Sequence, residues 1–283
     1  MFLLSWALGA PLPAATPLPA TPRADQEVVL SHGTLGRRPV ALALGPCTAE
    51  ACPVRVTDGT TSVTVLDLGA PDALDAPYEV EAFDGGWSLV LSEYDRATLR
   101  WRAVDDLGGP ALQVHKVQGM EHLNDEWALV WGTPAGPARA WTKSSPPRDA
   151  VETTVWHQSL QGAPAVVVRE QLARHYTETE THESVDLAAW RVVPGAVELA
   201  EVEGPLPHWL VVAGSFPDPG QALAQREATP CLRPFSLLST SDYPQLTAGL
   251  TVLAAVFPDQ PAAEGALAQA KSCRTDAFVK RGR

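Results

Sequence analysis

The sequence predicts an α+β chain of two domains: an all-β N-terminal domain, built as a sandwich or an array of hairpins, and a C-terminal ferredoxin-like βαββαβ domain. Two observations carry this prediction. Residues 26–203 read as short β-type runs separated by turn residues, and no helical stretch of comparable length competes with them. After residue 207 the pattern alternates strand and helix. An apolar run ending in Phe-Pro-Asp and followed by an Ala-rich segment is written twice, with Phe216 and Phe257 41 residues apart. Between the two regions Gly204-Pro205-Leu206-Pro207 is a stiff connector, because proline fixes its own φ and biases the preceding residue toward extended geometry. The expected division is therefore residues 1–25 as leader and linker, 26–203, 204–207 and 208–283.

The N-terminus opens with an apolar core, Phe2 to Leu8, and then small residues around Ala10, Ala14 and Ala15 where a signal peptidase would cut. This reads as a secretory signal followed by a Pro-rich linker, and it places the protein in the periplasm or outside the cell. The other reading is a Pro-rich arm on a cytosolic protein. No run of about 20 apolar residues exists, so no transmembrane helix is expected. Four cysteines fit an oxidising compartment. Cys47 and Cys52 flank a short loop and suit a local disulfide, which by elimination leaves Cys231 with Cys273. The expected topology makes that second pairing awkward, because it sets the helix ends at opposite ends of the sheet. Either the first helix stops at Pro230 or one cysteine pairs elsewhere, and three connectivities stay open. A net charge of −12 repels phosphate backbones and excludes nucleic acid as a partner.

Within 26–203, strands are expected at 27–32, 39–44, 62–68, 87–94, 98–104, 111–117, 126–132, 151–157, 165–172, 185–193 and 196–202. Residues 99–114 and 153–168 share one plan: an aromatic strand, a polar turn, Gly-x-Pro-Ala and an apolar strand. Residues 36–44 echo the middle of it. Glycine permits the sharp turn and proline tolerates the start of a strand. The repeat resembles the blades of FG-GAP propellers, whose turns hold calcium on alternating acids. Asp105-Asp106-Leu107-Gly108-Gly109 and Ser159-Leu160-Gln161-Gly162 lack those alternating ligands, so no calcium is expected. Three units are too few to close a propeller.

Beyond Pro207, strands are expected at 208–216, 235–243, 250–257 and 276–281. Helices are expected at 218–228 and 261–273, begun by Asp218 and Asp259 as N-caps. Val211-Val212-Ala213-Gly214-Ser215-Phe216 with Ala222, matched in the second half by Phe257 with Ala263, resembles the strand-to-helix signature of SPOR domains. The resemblance covers residues 208–280. It implies binding to peptidoglycan glycan strands through the sheet face opposite the helices, and it marks Trp209, Ser215, Tyr243 and Thr251 as the glycan-contacting set. Val212 and Thr251 stand where the family often carries Gln and Arg or another polar group. Leu210, Val212, Val252 and Leu253 give that sheet the character of a packing surface.

Other clusters read as ordinary surface or core. His175, Glu178, Glu180, His182 and Glu183 crowd one hairpin end, where a solvated tip is the simpler explanation than a zinc or copper site. Asp105 and Asp106 are adjacent in a turn and point apart, whereas acid–base chemistry needs groups converging on one atom. His122, Asn124, Asp125 and Glu126 form another polar turn. Trp87, Trp101, Trp127, Trp131, Trp156 and Trp190 recur inside strands as core packing. No nucleophile elbow, zincin, dinucleotide or P-loop motif occurs. The expectation is a non-enzymatic exported envelope protein without catalytic residues, metal or cofactor. Its SPOR-like domain would bind glycan strands and its β domain would serve as a scaffold or partner-binding module. The alternative is a protein–protein interaction protein whose SPOR-like region has lost glycan binding. Burial of Val212, Thr251 and Ser215 against residues 26–203 would favour the second.

Overall fold

A computed structural model of the chain describes residues 26–69, 79–83, 86–92, 95–119, 124–145, 151–160, 162–173 and 183–282. The expected leader, residues 1–25, lies outside them.

Four antiparallel sheets follow one another along the chain. The first is β1 (Val28–Leu35), β2 (Arg38–Leu44), β3 (Pro53–Thr57) and β4 (Ser62–Asp67), paired in that order. The second is a six-stranded meander of β5 (Glu79–Phe83), β6 (Gly86–Ser92), β7 (Asp95–Val104), β8 (Ala111–Gln118), β9 (Asn124–Thr133) and β10 (Gly136–Ser145). The third comprises β11 (Val151–Leu160), β12 (Ala163–Ala173), β13 (Glu183–Arg191) and the two-residue β14 (Ala200–Glu201). The last runs in the order β16-β17-β15-β18, from β15 (Trp209–Phe216), β16 (Ser236–Ser239), β17 (Thr251–Phe257) and β18 (Phe278–Arg281). Helices α1 (Pro219–Ala228) and α2 (Gln260–Cys273) lie against this last sheet.

Among the described residues strand accounts for 56% and helix for 14%. The expected α+β class, with a C-terminal ferredoxin-like βαββαβ domain, is therefore corrected. The molecule is mostly β, and its last sheet is one layer of a four-sheet arrangement. The reason lies in side-chain alternation, which sends successive residues of a strand to opposite faces. Val211, Ala213 and Leu253 pack under the helices, while Leu210, Val212, Val252, Ala254 and Val256 form an equally apolar opposite face. A sheet that is apolar on both faces must be covered on both. The N-terminal region likewise holds three sheets.

Successive sheets share their cores. Leu30, Leu42, Val54 and Val65 of the first meet Trp87, Leu99, Trp101 and Val114 of the second. The other face of the second presents Trp127, Leu129 and Trp141 to Val155, Val166 and Val168 of the third. Beyond these, Ala165, Val167 and Ala189 face Leu206. The hairpin repeat explains part of this alignment. Gly36 and Gly108 adopt positive φ in their turns, 65° and 78°. A methyl group added to Gly36 would lie 3.0 Å from Pro110, and one on Gly108 would lie 3.5 Å from Pro164. Each turn proline thus rests on the turn glycine of the sheet before it. The bulge in β10 adds a second tie, because the Ala140 carbonyl accepts from Leu199 N, 3.2 Å away in the third sheet's last loop.

Asp218 and Asp259 cap α1 and α2 as their spacing predicts, accepting from Gln221 N at 2.9 Å and from Ala262 N at 2.8 Å. Pro219 and Pro261 occupy first-turn positions where a missing N–H is harmless. Helix α1 stops at Ala228, and a single 3-10 turn, Pro230–Leu232, carries Cys231 beside α2. Cys231 and Cys273 form a disulfide with their Cα atoms 6.1 Å apart, and Cys47 pairs with Cys52. Premature termination at Pro230 removes the topological conflict.

Candidate functional site

The residues expected to contact glycan do not share a face. In β15 the alternation directs Trp209 toward the helices, where it packs half-buried with Val211 and Phe257. Register shifts between Val212 and Gly214. Beyond the shift Ser215 pairs with Val252 and is exposed, while Phe216 pairs with Thr251. Thr251 keeps the alternation of Leu253 and so faces the helices; it is 3% exposed. Tyr243 follows a short 3-10 turn, packs with Val212 and Val252, and meets the His208 ring edge-on at 5.7 Å. Only Ser215 of the four reaches solvent freely.

The face opposite the helices is occupied. Val185 and Leu187 of β13 pack against Leu210, Val212, Val252, Ala254 and Val256. Arg169 of β12 donates from Nη1 to the Val256 carbonyl at 3.5 Å and holds its guanidinium 5.5 Å from the Trp156 ring centre. At one corner Arg226 of α1 donates to Glu183 Oε1 at 2.6 Å. The other oxygen of Glu183 accepts from Gln171 Nε2 at 2.9 Å and from Leu237 N at 3.2 Å. One carboxylate therefore joins β12, β13, β16 and α1. Glu183 and Arg226 are 7% and 9% exposed, so this pair is buried and acts as a clamp between the third and fourth sheets.

A second charged cluster lies between the second and third sheets, and motif reasoning missed one of its members. His157 sits in mid-strand β11, in no catalytic pattern, and only folding brings it to Asp106. Its Nδ1 lies 3.6 Å from Asp106 Oδ1, too far for a hydrogen bond. Its Nε2 is buried with no partner among the described residues. Arg102 donates from Nε and Nη2 to Gln113 Oε1 at 3.1 and 3.0 Å. Burial, aided by the Arg102 charge, lowers the His157 pKa from 6.5 to about 4. Burial raises that of Asp106, and Arg102 opposes the shift. Perturbed groups mark functional sites, but structural clusters also perturb pKa. Here Val104, Leu107 and Val155 pack in the adjoining core, which is the setting of a neutral structural histidine.

That arrangement sets a pH dependence. The unfolded chain binds a proton at position 157 below about pH 6.5, whereas the folded chain does not until about pH 4. The His157 contribution is thus complete above pH 6.5 and is lost as the pH falls from 6.5 to 4. Urea midpoints of the native protein and His157→Gln across this window should converge at the acid end. A constant difference between the two would refute the assignment.

His175, Glu178, Glu180, His182 and His122 lie outside the described residues. Glu183 is committed to Arg226. Asp125 Oδ1 lies 2.9 Å from His115 Nε2, and Glu126 accepts from Lys116 Nζ at 2.8 Å. Among the described residues no cluster of three or more His, Cys, Asp or Glu side chains that could hold a metal ion is found, and no helix is long and apolar enough to cross a membrane. Both disulfides fit an oxidising compartment. No protein-family model, curated protein or solved structure matches the chain.

Proposed function

We propose that the chain is an exported, non-enzymatic envelope protein that works through contacts with other proteins, and that its SPOR-like region has lost glycan binding. The single observation supporting this reading is the cover over the last sheet: Val185 and Leu187 occupy the surface a glycan strand would need. Val212 and Tyr243, 1% and 6% exposed, lie under that cover, whereas Thr251 is buried on the helix face and Ser215 is exposed, so of the three residues whose burial against 26–203 was the criterion only Val212 meets it. Carbohydrate sites need reachable polar groups and an aromatic platform on one face. Export is supported by the signal-like residues 2–15 together with the two disulfides.

Co-sedimentation of the full chain with purified peptidoglycan sacculi tests this, using intact sacculi and sacculi stripped of stem peptides by amidase. The expected result is background pelleting in both. Pelleting that rises on the stripped glycan would overturn the proposal and restore a cell-wall tether.

A further inference from the structure

The third sheet ends in an edge that nothing in the described structure covers, and its surroundings have a definite chemistry. Strand β14 pairs with β13 through Trp190↔Glu201 and Arg191↔Ala200. Val202 N donates to Ala189 O at 2.8 Å, so the backbone groups of Val202 face β13. In an antiparallel ladder the neighbouring residues then turn their N–H and C=O outward. Glu201 and Glu203 are those neighbours. Beside them lies a hollow of about 450 Å³ whose apolar walls include Ala163, Val192, Val193, Pro194 and Val202. Val193 and Val197 are 39% and 41% exposed, two of the three large exposed hydrophobic side chains among the described residues. Arg191 also lines the hollow, but acids outnumber it: Glu198, Glu201 and Glu203 are all exposed within six residues.

From this juxtaposition we infer that the edge of β14 and its hollow form a docking site for an extended segment of a partner protein in which basic and apolar side chains alternate. The segment adds a fifth strand to the third sheet. Its main chain pairs with the outward groups of Glu201 and Glu203, its Lys or Arg side chains meet the glutamates, and an apolar side chain enters the hollow. This is strand addition to a sheet edge, in which backbone hydrogen bonds supply affinity and alternate side chains supply selectivity. Charge complementarity selects the occupant. An acidic segment would meet three carboxylates, and an acidic second copy of this chain would be repelled in the same way. The Leu199 N bond to Ala140 O anchors the start of β14 on the second sheet, so the edge is held in place before a partner arrives.

The inference rests on reading the chain as an interaction protein and names the surface that does the work. Fluorescence anisotropy on the full chain tests it with three nine-residue labelled probes: one alternating Lys and Val, one alternating Glu and Val, and one alternating Lys and Val with a central Pro. The first should bind, the second should not, and the third should bind at least tenfold more weakly because proline removes a main-chain donor. Glu201→Lys with Glu203→Lys should weaken the first probe at least tenfold, and so should Val193→Asp. Both sites are exposed, so circular dichroism should show these variants folded. Equal binding of the Lys and Pro probes would overturn the proposal in favour of general attraction to an acidic protein. Binding unaffected by the Glu and Val variants would also overturn it, as would no binding at all, which would make the glutamates guards against edge pairing. A failure here with background sacculus pelleting leaves the interaction reading intact and its surface elsewhere. Pelleting on stripped sacculi would instead refute that reading.

Discussion

Glu183→Ala is expected to lower the stability of the folded chain by about 3–5 kcal/mol, the scale for removing one member of a buried ion pair. Three donors converge on this carboxylate: Arg226 Nη1, Gln171 Nε2 and Leu237 N. Its loss removes the shortest contact of a guanidinium only 9% exposed, whose other contacts include the Phe235 carbonyl at 3.5 Å and Glu227 at 3.7 Å. The double variant Glu183→Ala with Arg226→Met should recover much of the loss, because it removes the charge that Glu183 balanced and keeps an unbranched side chain in place. Urea denaturation of the native protein, the two single variants and the double variant measures the coupling. A loss under about 1 kcal/mol for Glu183→Ala would mean that the corner is open to water and that the pair clamps nothing.

The second large effect belongs to the disulfide between Cys231 and Cys273. It closes 42 residues, and the chain-entropy relation assigns a loop of that length about 4 kcal/mol. The Cys47–Cys52 bridge spans 5 residues and should contribute about 2 kcal/mol by the same relation. Replacing Cys231 and Cys273 together with Ser should therefore lower the thermal midpoint more than replacing Cys47 and Cys52 together. The reverse order would place the stabilising action of the short bridge in the native state rather than in the unfolded chain.

Local signals in the sequence were sound where a single residue type decides the outcome. Asp218 and Asp259 mark both helix starts, and Pro230 marks the end of α1. The turn glycines and prolines mark hairpins, although the nesting of Pro110 on Gly36 and of Pro164 on Gly108 is a relation between sheets that no local pattern displays. Strand β10 has no clear local signature, because Gly136-Pro137 opens it and polar residues close it, a composition tolerated at the edge of a sheet. The stretch 196–202 reads as a full strand, yet only Ala200–Glu201 forms one, with Val202 adding a single bond to Ala189, while Leu199 N is drawn to the bulge at Ala140. Class and site were less legible for one shared reason. The apolar residues Leu210, Val212 and Val252 announce a packing surface, but what packs on it, Val185 and Leu187, lies far earlier in the chain. The site residues inherit that ambiguity, since the burial of Thr251 and the half-burial of Trp209 follow only from which face of the sheet they join. His157 was illegible because nothing in the run Val151–Leu160 distinguishes a structural imidazole from a surface one.

The order of the layers in space follows the order of their strands in the chain. Each sheet therefore presents an apolar face that the next sheet along the chain covers. The two Ala-rich helices end the series by offering Ala222, Ala263 and Ala270 inward and polar residues outward. Without them Val211, Ala213 and Leu253 would lie bare, so the last sheet with its two helices is the lid that closes the stack.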